Sequence, residues 1–524
     1  MVLYLSGELS VRLATSLLLL ALAFVVATAL YNRLFHPLAK YPGPFWAGIS
    51  TLWYHRTVRY GIRENCQLPL HEKYGPFVRI GPHTLAISDP AAIETVYGPN
   101  RKTGQPFEKA EFYDGFWAHI GPRQDSFSER NETKHSQRRR IQAPLYTQSA
   151  MLGYEPCVDR IIRLFYSRLD DFSQTNEVFD ISIWIRKYTF DVLGEIFFGR
   201  EEGFGMLRDD IDYNDWCKCM NTMPDIGASI TYIPYGLRTA YMISQVLLGG
   251  HAARQGVAGL TKVVADAKKT AQDRLQAQES ESRGKTCQDI LSKLIEIVKT
   301  RGEELNWTML DVTTEIWGVI WAGADTTAIA LTAIFYFTHK HPHVLSKLRS
   351  EIDEAFDSGK VSSPVRFKDT LQLPFLNAVV KESMRLHPSL GTGLPRVVPP
   401  SGAEIAGRWV PGNTTVIMNQ NAVHLDPDVF GPDRKAFVPE RWLDESRATV
   451  MSRHDMSFGY GSRICVGRHI TMIEMYKLLP VLLRFYEFEF ADPNAEWSVW
   501  HGWFQHQKNV NVTVRERRTY FKNL

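Results

Sequence analysis

The sequence predicts a mainly α-helical fold with minor β sheets, carried behind one membrane-spanning helix. Three observations predict it. An uncharged apolar run fills 13–30, apolar residues recur at three- and four-residue spacing between Ser128 and Leu386, and alternating apolar residues occur only in short stretches punctuated by Gly and Pro. At roughly 150 residues per domain the length suggests about three domains. Yet the 524 residues show no internal repeat and no linker beyond the N-terminal hinge, so one large α-rich domain is expected. Hydrophobic residues at 44% and charged residues at 22% fit a chain with a large buried core, and exclude disordered and collagen-like classes. The net charge of +3 removes the electrostatic drive of a non-specific nucleic-acid binder. Six cysteines are too few for a disulfide scaffold, and Cys217 and Cys219 lie too close in sequence to pair.

The elements follow in order. Residues 1–12 form an N-terminal lumenal tail and 13–31 a transmembrane anchor, because LATSLLLLALAFVVATAL as an α-helix extends about 27 Å. A cleaved signal peptide is the rival, given Ala27-Thr28-Ala29, but the run exceeds the usual apolar core of such peptides. Arg33 and Lys40 follow the run while Glu8 offsets Arg12 before it, which places the body in the cytosol. Under that topology the Asn-x-Thr sequons at Asn131, Asn306, Asn413 and Asn511 are chance matches. Residues 32–45, ending in Tyr41-Pro42-Gly43-Pro44, form a stiff hinge, and 46–524 the body. A hairpin is expected after Tyr74 and a helix after Asp89-Pro90. The polar stretch KKTAQDRLQAQESESRGKT, ending at Thr286, reads as an exposed helix end entering a loop. Short extended pieces return between Pro395 and Pro411, with turns at Gly402, Gly407 and Gly412, before a helix from Ile470 to Leu483.

The chemistry centres on Phe458-Gly459-Tyr460-Gly461-Ser462-Arg463-Ile464-Cys465-Val466-Gly467. Cys465 stands at a helix entrance, where backbone N–H groups favour a thiolate and so a metal ligand. A structural zinc site needs four ligands, and no CxxC or HxxxH partner lies nearby. This loop resembles the cytochrome P450 superfamily, whose haem loop reads FxxGxRxCxG; every defined position is present. Three further motifs agree. Glu382 and Arg385 form an ExxR on one helix face, and Arg441 in Pro439-Glu440-Arg441-Trp442 offers the guanidinium that joins that pair in the family. Ala322-Gly323-Ala324-Asp325-Thr326-Thr327 sits in a long apolar helix, where Gly, Asp and Thr are unfavourable unless they serve a cavity.

The resemblance implies a cytochrome P450 fold holding haem b, with Cys465 as axial thiolate and His135, Arg139, Arg396 and Arg463 toward the propionates. His135 takes the place usually held by Trp. Arg guanidinium suits carboxylates through paired hydrogen bonds. An axial thiolate favours O–O cleavage, and Asp325 and Thr326 resemble the acid–alcohol pair that relays protons to bound oxygen. The implied enzyme is a monooxygenase on the endoplasmic reticulum, drawing electrons from NADPH-cytochrome P450 reductase, with cytochrome b5 as an optional second donor. The chain has no GxGxxG opening a βαβ unit, so the nicotinamide site is expected on that partner. Lys134, Arg138, Arg140 and Arg468 offer a basic docking face for it.

Phe107, Phe112, Tyr113, Phe116 and Trp117, with Trp317 and Trp321 and with Trp500, Trp503 and Phe504, favour a bulky apolar or aromatic small-molecule substrate. The hinge text FHPLAKYPGPF and the run LPRVVPPSGAEIAGRWVPGNTTV are similar to filamentous-fungal members of the pisatin-demethylase-like group, which implies secondary-metabolite tailoring. Two alternatives differ in class. A haem-thiolate isomerase or dehydratase often lacks the acid–alcohol pair, and a non-catalytic haem-binding protein would show a damaged cysteine loop or ExxR.

Overall fold

A computed structural model describes residues 2–62, 67–99, 105–117, 121–280 and 289–517. Helix α1, Val2–Leu30, is exposed from Leu13 onward and ends in a π-helical turn at Tyr31–Phe35. It begins eleven residues before the expected anchor, because no proline interrupts the stretch from Val2 to Arg12, so the expected tail is helical from Val2 onward. The stretch from Arg12 to Phe35 is long and apolar enough to cross a membrane. The stretch Met309–Lys340 passes the same test, but it is largely buried and belongs to the core.

The expected hairpin is β1 (Phe77–Gly81) with β2 (Thr84–Ile87), antiparallel. The two strands join β3 (Glu108–Lys109), β5 (Arg396–Val397) and β8 (Thr415–Met418) in a sheet of order β1-β2-β8-β5-β3, in which β2 and β8 run parallel. A second sheet sets β4 (Phe179–Asp180), β12 (Asn511–Glu516) and β9 (Tyr486–Phe490) side by side. Two small hairpins complete the strands: β6 (Ala403–Ile405) with β7 (Arg408–Val410), and β10 (Ser498–Val499) with β11 (Gln507–Lys508). The loop between β10 and β11, residues 500–506, is the part of this framework that reaches the site.

The main core packs helices on helices. It gathers Phe165, Tyr188, Ile316, Phe335, Leu376 and Leu482 among others, with separate apolar clusters under the first sheet. Helices used below are α2 (Leu52–Tyr60), α3 (Glu132–Gln142), α4 (Ile181–Ile196), α5 (Met223–Ile230), α6 (Arg238–Leu247), α7 (Gly250–Ser280), α8 (Met309–Ala322), α9 (Asp325–Lys340), α10 (Pro374–Leu386) and α11 (Arg468–Phe485). The polar stretch follows expectation as helix to Ser280; its remainder, 281–286, lies outside the described residues.

The long apolar helix expected around Asp325 is two helices, because the ladder breaks between Ala322 and Asp325. Gly323 is held against Leu193, where a Cβ would come within 2.9 Å of that side chain. The Thr326 hydroxyl donates to the Ala322 carbonyl at 2.9 Å, occupying an oxygen at the break.

Candidate active site

Cys465 is placed by backbone geometry. Gly461 adopts φ +68°, and a Cβ there would fall 2.0 Å from the Tyr97 carbonyl, so the loop can pass only as glycine. The Cys465 N–H donates to the Phe458 carbonyl at 2.8 Å, and α11 starts three residues later. Cys465 is exposed as a residue, yet its thiol is closely surrounded by protein. That enclosure raises its pKa, while the N–H groups of Gly467 and Arg468 and the Arg139 charge act in the opposite sense. A metal bound here would complete what these donors begin, since a coordinating thiol is deprotonated outright.

Glu382 and Arg385 on α10 form a bidentate pair, with Arg385 Nε 2.8 Å from Oε2 and Nη2 2.7 Å from Oε1. Arg441 adds Nε at 2.9 Å from Oε1, and all three side chains are buried. The Arg385 guanidinium also donates to the His424 and Arg434 carbonyls, and His424 Nε2 accepts the Met456 N–H at 2.9 Å. The trio therefore braces the chain that leads into the cysteine loop.

On the other side of that loop lies a knot of positive charge. Arg139 on α3 donates to the Ile464 carbonyl at 2.9 Å. Arg463 donates to Glu132 at 2.7 Å and to the Glu129 carbonyl. Arg396 donates to the Tyr113 hydroxyl at 2.6 Å, and the β3–β5 register sets Lys109 directly opposite it. Burial and the charges of Arg463, Lys109, Arg139 and Arg396 push His135 down to about 2, so its imidazole is neutral. Burial with Arg463 and Arg396 holds Lys109 well below the usual lysine range. Glu132 and Asp125 are the carboxylates that act back on Lys109. So crowded a cationic pocket fits a dianionic ligand, and with the adjacent thiol it fits a haem and its two propionates.

Beyond the helix break, Asp325 is 2% exposed and does not stand free. Arg186 on α4 grips it through Nε to Oδ1 at 2.5 Å and Nη2 to Oδ2 at 2.8 Å, and His506 Nε2 lies 3.3 Å from Oδ2. Burial opposes its ionisation, but Arg186 and His506 outweigh it and hold the carboxyl far below the usual range. Thr326 follows, and its carbonyl accepts the Ser389 hydroxyl at 2.7 Å.

The cytochrome P450 family model matches residues 40–514. The chain belongs to the cytochrome P450 family. It is 34% identical over 497 residues to cytochrome P450 monooxygenase gsfF of Penicillium aethiopicum, covering 94% of this chain and 96% of that one. It is 31% identical over 519 residues to pisatin demethylase of Fusarium vanettenii, covering 98% and 96%. A crystal structure of a cytochrome P450, at 21% identity, superposes with TM-score 0.68 over 85% of this chain and 93% of the other, which shows the shared fold. Family membership makes the protein a haem-thiolate monooxygenase.

In this P450 an aromatic wall stands near the helix break. The Trp503 ring lies 4.8 Å from Phe116, 5.4 Å from Phe112 and 6.1 Å from Phe127. Trp317 donates to the Phe116 carbonyl and packs 5.0 Å from Trp321. Three further aromatic residues expected at the pocket make other contacts. Phe107 packs under the first sheet because the chain turns there into β3. Trp117 donates to the Arg123 carbonyl, and Trp500 is 37% exposed with its indole N–H on Asp225. The expected docking face also loses a member. Arg138 is buried against Asp311 (2.6 Å) and Glu315 (3.4 Å), whereas Lys134, Arg140 and Arg468 are exposed. The acids at 311 and 315, one turn apart on an apolar helix, need a cation, and that was the readable signal. Lys109, Arg186 and His506 were not picked out from sequence. Their roles follow from strand register and from contacts spanning 139 and 181 residues.

Proposed function

We propose that this P450 hydroxylates or otherwise oxidises a bulky apolar small molecule in fungal secondary metabolism, drawing electrons from NADPH-cytochrome P450 reductase, with cytochrome b5 as an optional second donor. The observation that carries it is the cysteine loop beside the cationic knot of Lys109, Arg139, Arg396 and Arg463. In this reading Cys465 binds the haem iron, while Arg139, Arg396 and Arg463, with His135, hold the propionates. The haem supplies oxygen activation and transfer of one oxygen atom to carbon.

The protein's own groups do the rest. Asp325 is the relay carboxylate and Thr326 the positioning alcohol at the helix break; because Arg186 and His506 keep Asp325 ionised, it takes up a proton from water only in the act of passing it on. Phe112, Phe116 and Trp503 exclude water and favour an apolar, ring-bearing substrate. The exposed apolar helix before the hinge anchors the enzyme in the endoplasmic reticulum membrane with its body in the cytosol. Lys134, Arg140 and Arg468 supply the basic face for the reductase.

The reduced carbon-monoxide complex is expected to show the strongly red-shifted Soret band of thiolate ligation, abolished in Cys465→Ser. A histidine-type spectrum in the unmutated enzyme refutes the assignment. Comparing metabolites of producing cells with and without the gene then identifies the substrate.

A further inference from the structure

Asp225, on α5, is 3% exposed and belongs to no part of the haem site. Its carboxylate accepts the Trp500 indole N–H at Oδ2 and the Trp503 backbone N–H at Oδ1, both at 2.6 Å. Gly502 fits between them so closely that a Cβ would fall 2.1 Å from Oδ1. The Trp503 carbonyl, in turn, accepts the Gly391 N–H at 2.8 Å, and Phe504 bridges Leu390. The loop carrying Trp503 and Phe504 is thus pinned from α5 on one side and from the segment before Arg396 on the other. The turn bearing Phe112 and Phe116 touches α5 as well, where a Cβ on Gly115 would fall 2.1 Å from the Gly227 carbonyl.

We infer that Asp225 is a positioning residue for substrate selection: by accepting both N–H groups it fixes the 500–504 loop, and so sets how far the roof of Phe112, Phe116 and Trp503 opens to bulky ring-bearing molecules. The inference rests on the proposed monooxygenase reading, in which that wall faces the substrate. A carboxyl group is suited because both of its oxygens accept, whether or not it carries a proton, whereas the nitrogen of an amide accepts nothing and must face one of the two donors.

The latch is also sensitive to pH. Burial raises Asp225 to about 7, against the opposing pull of Trp503, Trp500 and the Arg59 charge on α2. Other groups on the elements around it are muted. His55 on α2 is depressed by burial, and Glu111 and Asp114 are paired with Arg238 and Arg130. Lys218 pairs with Asp215, and the loop adds His501 and α7 adds His251 and Arg254. The sign follows from linkage. An acid whose pKa is raised in the closed state binds its proton more tightly there than when open. Opening therefore grows as pH rises from about 4 toward 7 and levels off above, giving about a tenfold increase between pH 6 and 8.

The test uses the holoenzyme and clotrimazole, a bulky aromatic imidazole that ligates haem iron and shifts its Soret band, with carbon monoxide as a small ligand that does not titrate. Clotrimazole release is expected to quicken about tenfold from pH 6 to 8, with carbon monoxide rebinding flat. Asp225→Asn is expected to release clotrimazole several-fold faster with no pH dependence. Should that variant not fold, Trp500→Phe, which removes one donor from a partly exposed residue, is expected to speed release and keep the pH profile. A flat profile in the unmutated enzyme, or a tenfold profile kept by Asp225→Asn, overturns the inference. Failure of the red-shifted carbon-monoxide band would instead overturn the monooxygenase reading.

Discussion

Replacing Glu382 by Ala is expected to cost more than any other single substitution outside the haem ligand. Its carboxylate accepts from Arg385 Nε and Nη2, Arg441 Nε, the Trp442 indole and the Val438 N–H, at 2.7 to 3.1 Å. The side chains of Arg385 and Arg441 are 2% and 1% exposed. Each hydrogen bond to a charged group contributes about 1.5–3 kcal/mol, but they share one acceptor and do not add. Stranding buried charge sets the scale, about 3–5 kcal/mol, against a total stability of roughly 5–15 kcal/mol. The damage should also reach the haem. Arg385 holds the His424 carbonyl, His424 holds Met456, and the Met456 carbonyl accepts the Gly459 N–H at the start of the cysteine loop. Urea unfolding followed by tryptophan fluorescence should show the stability loss, and the carbon-monoxide band should be largely lost at equal protein. Glu382→Gln keeps the shape and one acceptor, and should be milder on both. Glu382→Ala within about 1 kcal/mol of the unmutated enzyme and fully loaded with haem would refute the reasoning.

Further substitutions separate the other roles. Thr326→Ala loses a local hydrogen bond that contributes about 1 kcal/mol; the variant should fold with a normal carbon-monoxide band while NADPH use uncouples from product, and unchanged coupling counts against the assigned role. Arg186→Leu strips Asp325 of its bidentate partner, so burial should raise that carboxyl toward the neutral range. Stability gained from its ionisation, present above about pH 4 and lost as pH falls through the folded-state pKa, should shrink; an unchanged acid-unfolding curve counts against this. Lys109→Met removes a buried cation crowded by Arg396 and Arg463, and should stabilise the haem-free protein while weakening haem retention. Melting curves of both forms moving in the same direction would contradict that account.

Which features were legible in the sequence follows from how far apart their determinants lie. The cysteine loop spells its own turn, because glycine alone can pass Tyr97 at Gly461. Glu382 with Arg385, and His135 with Arg139, sit three and four residues apart, so helical geometry suffices to bring each pair together. The same rule misled at Arg138, which looked like one more surface cation. It lies on the side of α3 that meets α8, where Asp311 and Glu315 draw it inward. The sheet edges were beyond reach for another reason: strands β3 and β5 have two residues each, too few to show alternation, yet their register brings Lys109 beside Arg396.

The least legible segment is the loop between β10 and β11, and its position explains why. Trp500 and Trp503 meet Asp225, His506 meets Asp325, and the Gln505 N–H donates to the carbonyl of Ser389, whose hydroxyl holds the carbonyl of Thr326. One short loop therefore touches the helix that shapes the aromatic roof and the break that carries the acid and alcohol. Neither contact has a local pattern, because each partner is supplied by a distant part of the chain. Under the proposed function, in which a bulky molecule is admitted and a proton delivered beside it, a displacement of Trp503 is expected to reach the ion pair at Asp325 through covalent neighbours of His506. Substitutions at Trp503 should accordingly alter both ligand release and NADPH coupling, whereas substitutions at Phe112, which belongs to the roof but not to the loop, should alter release alone.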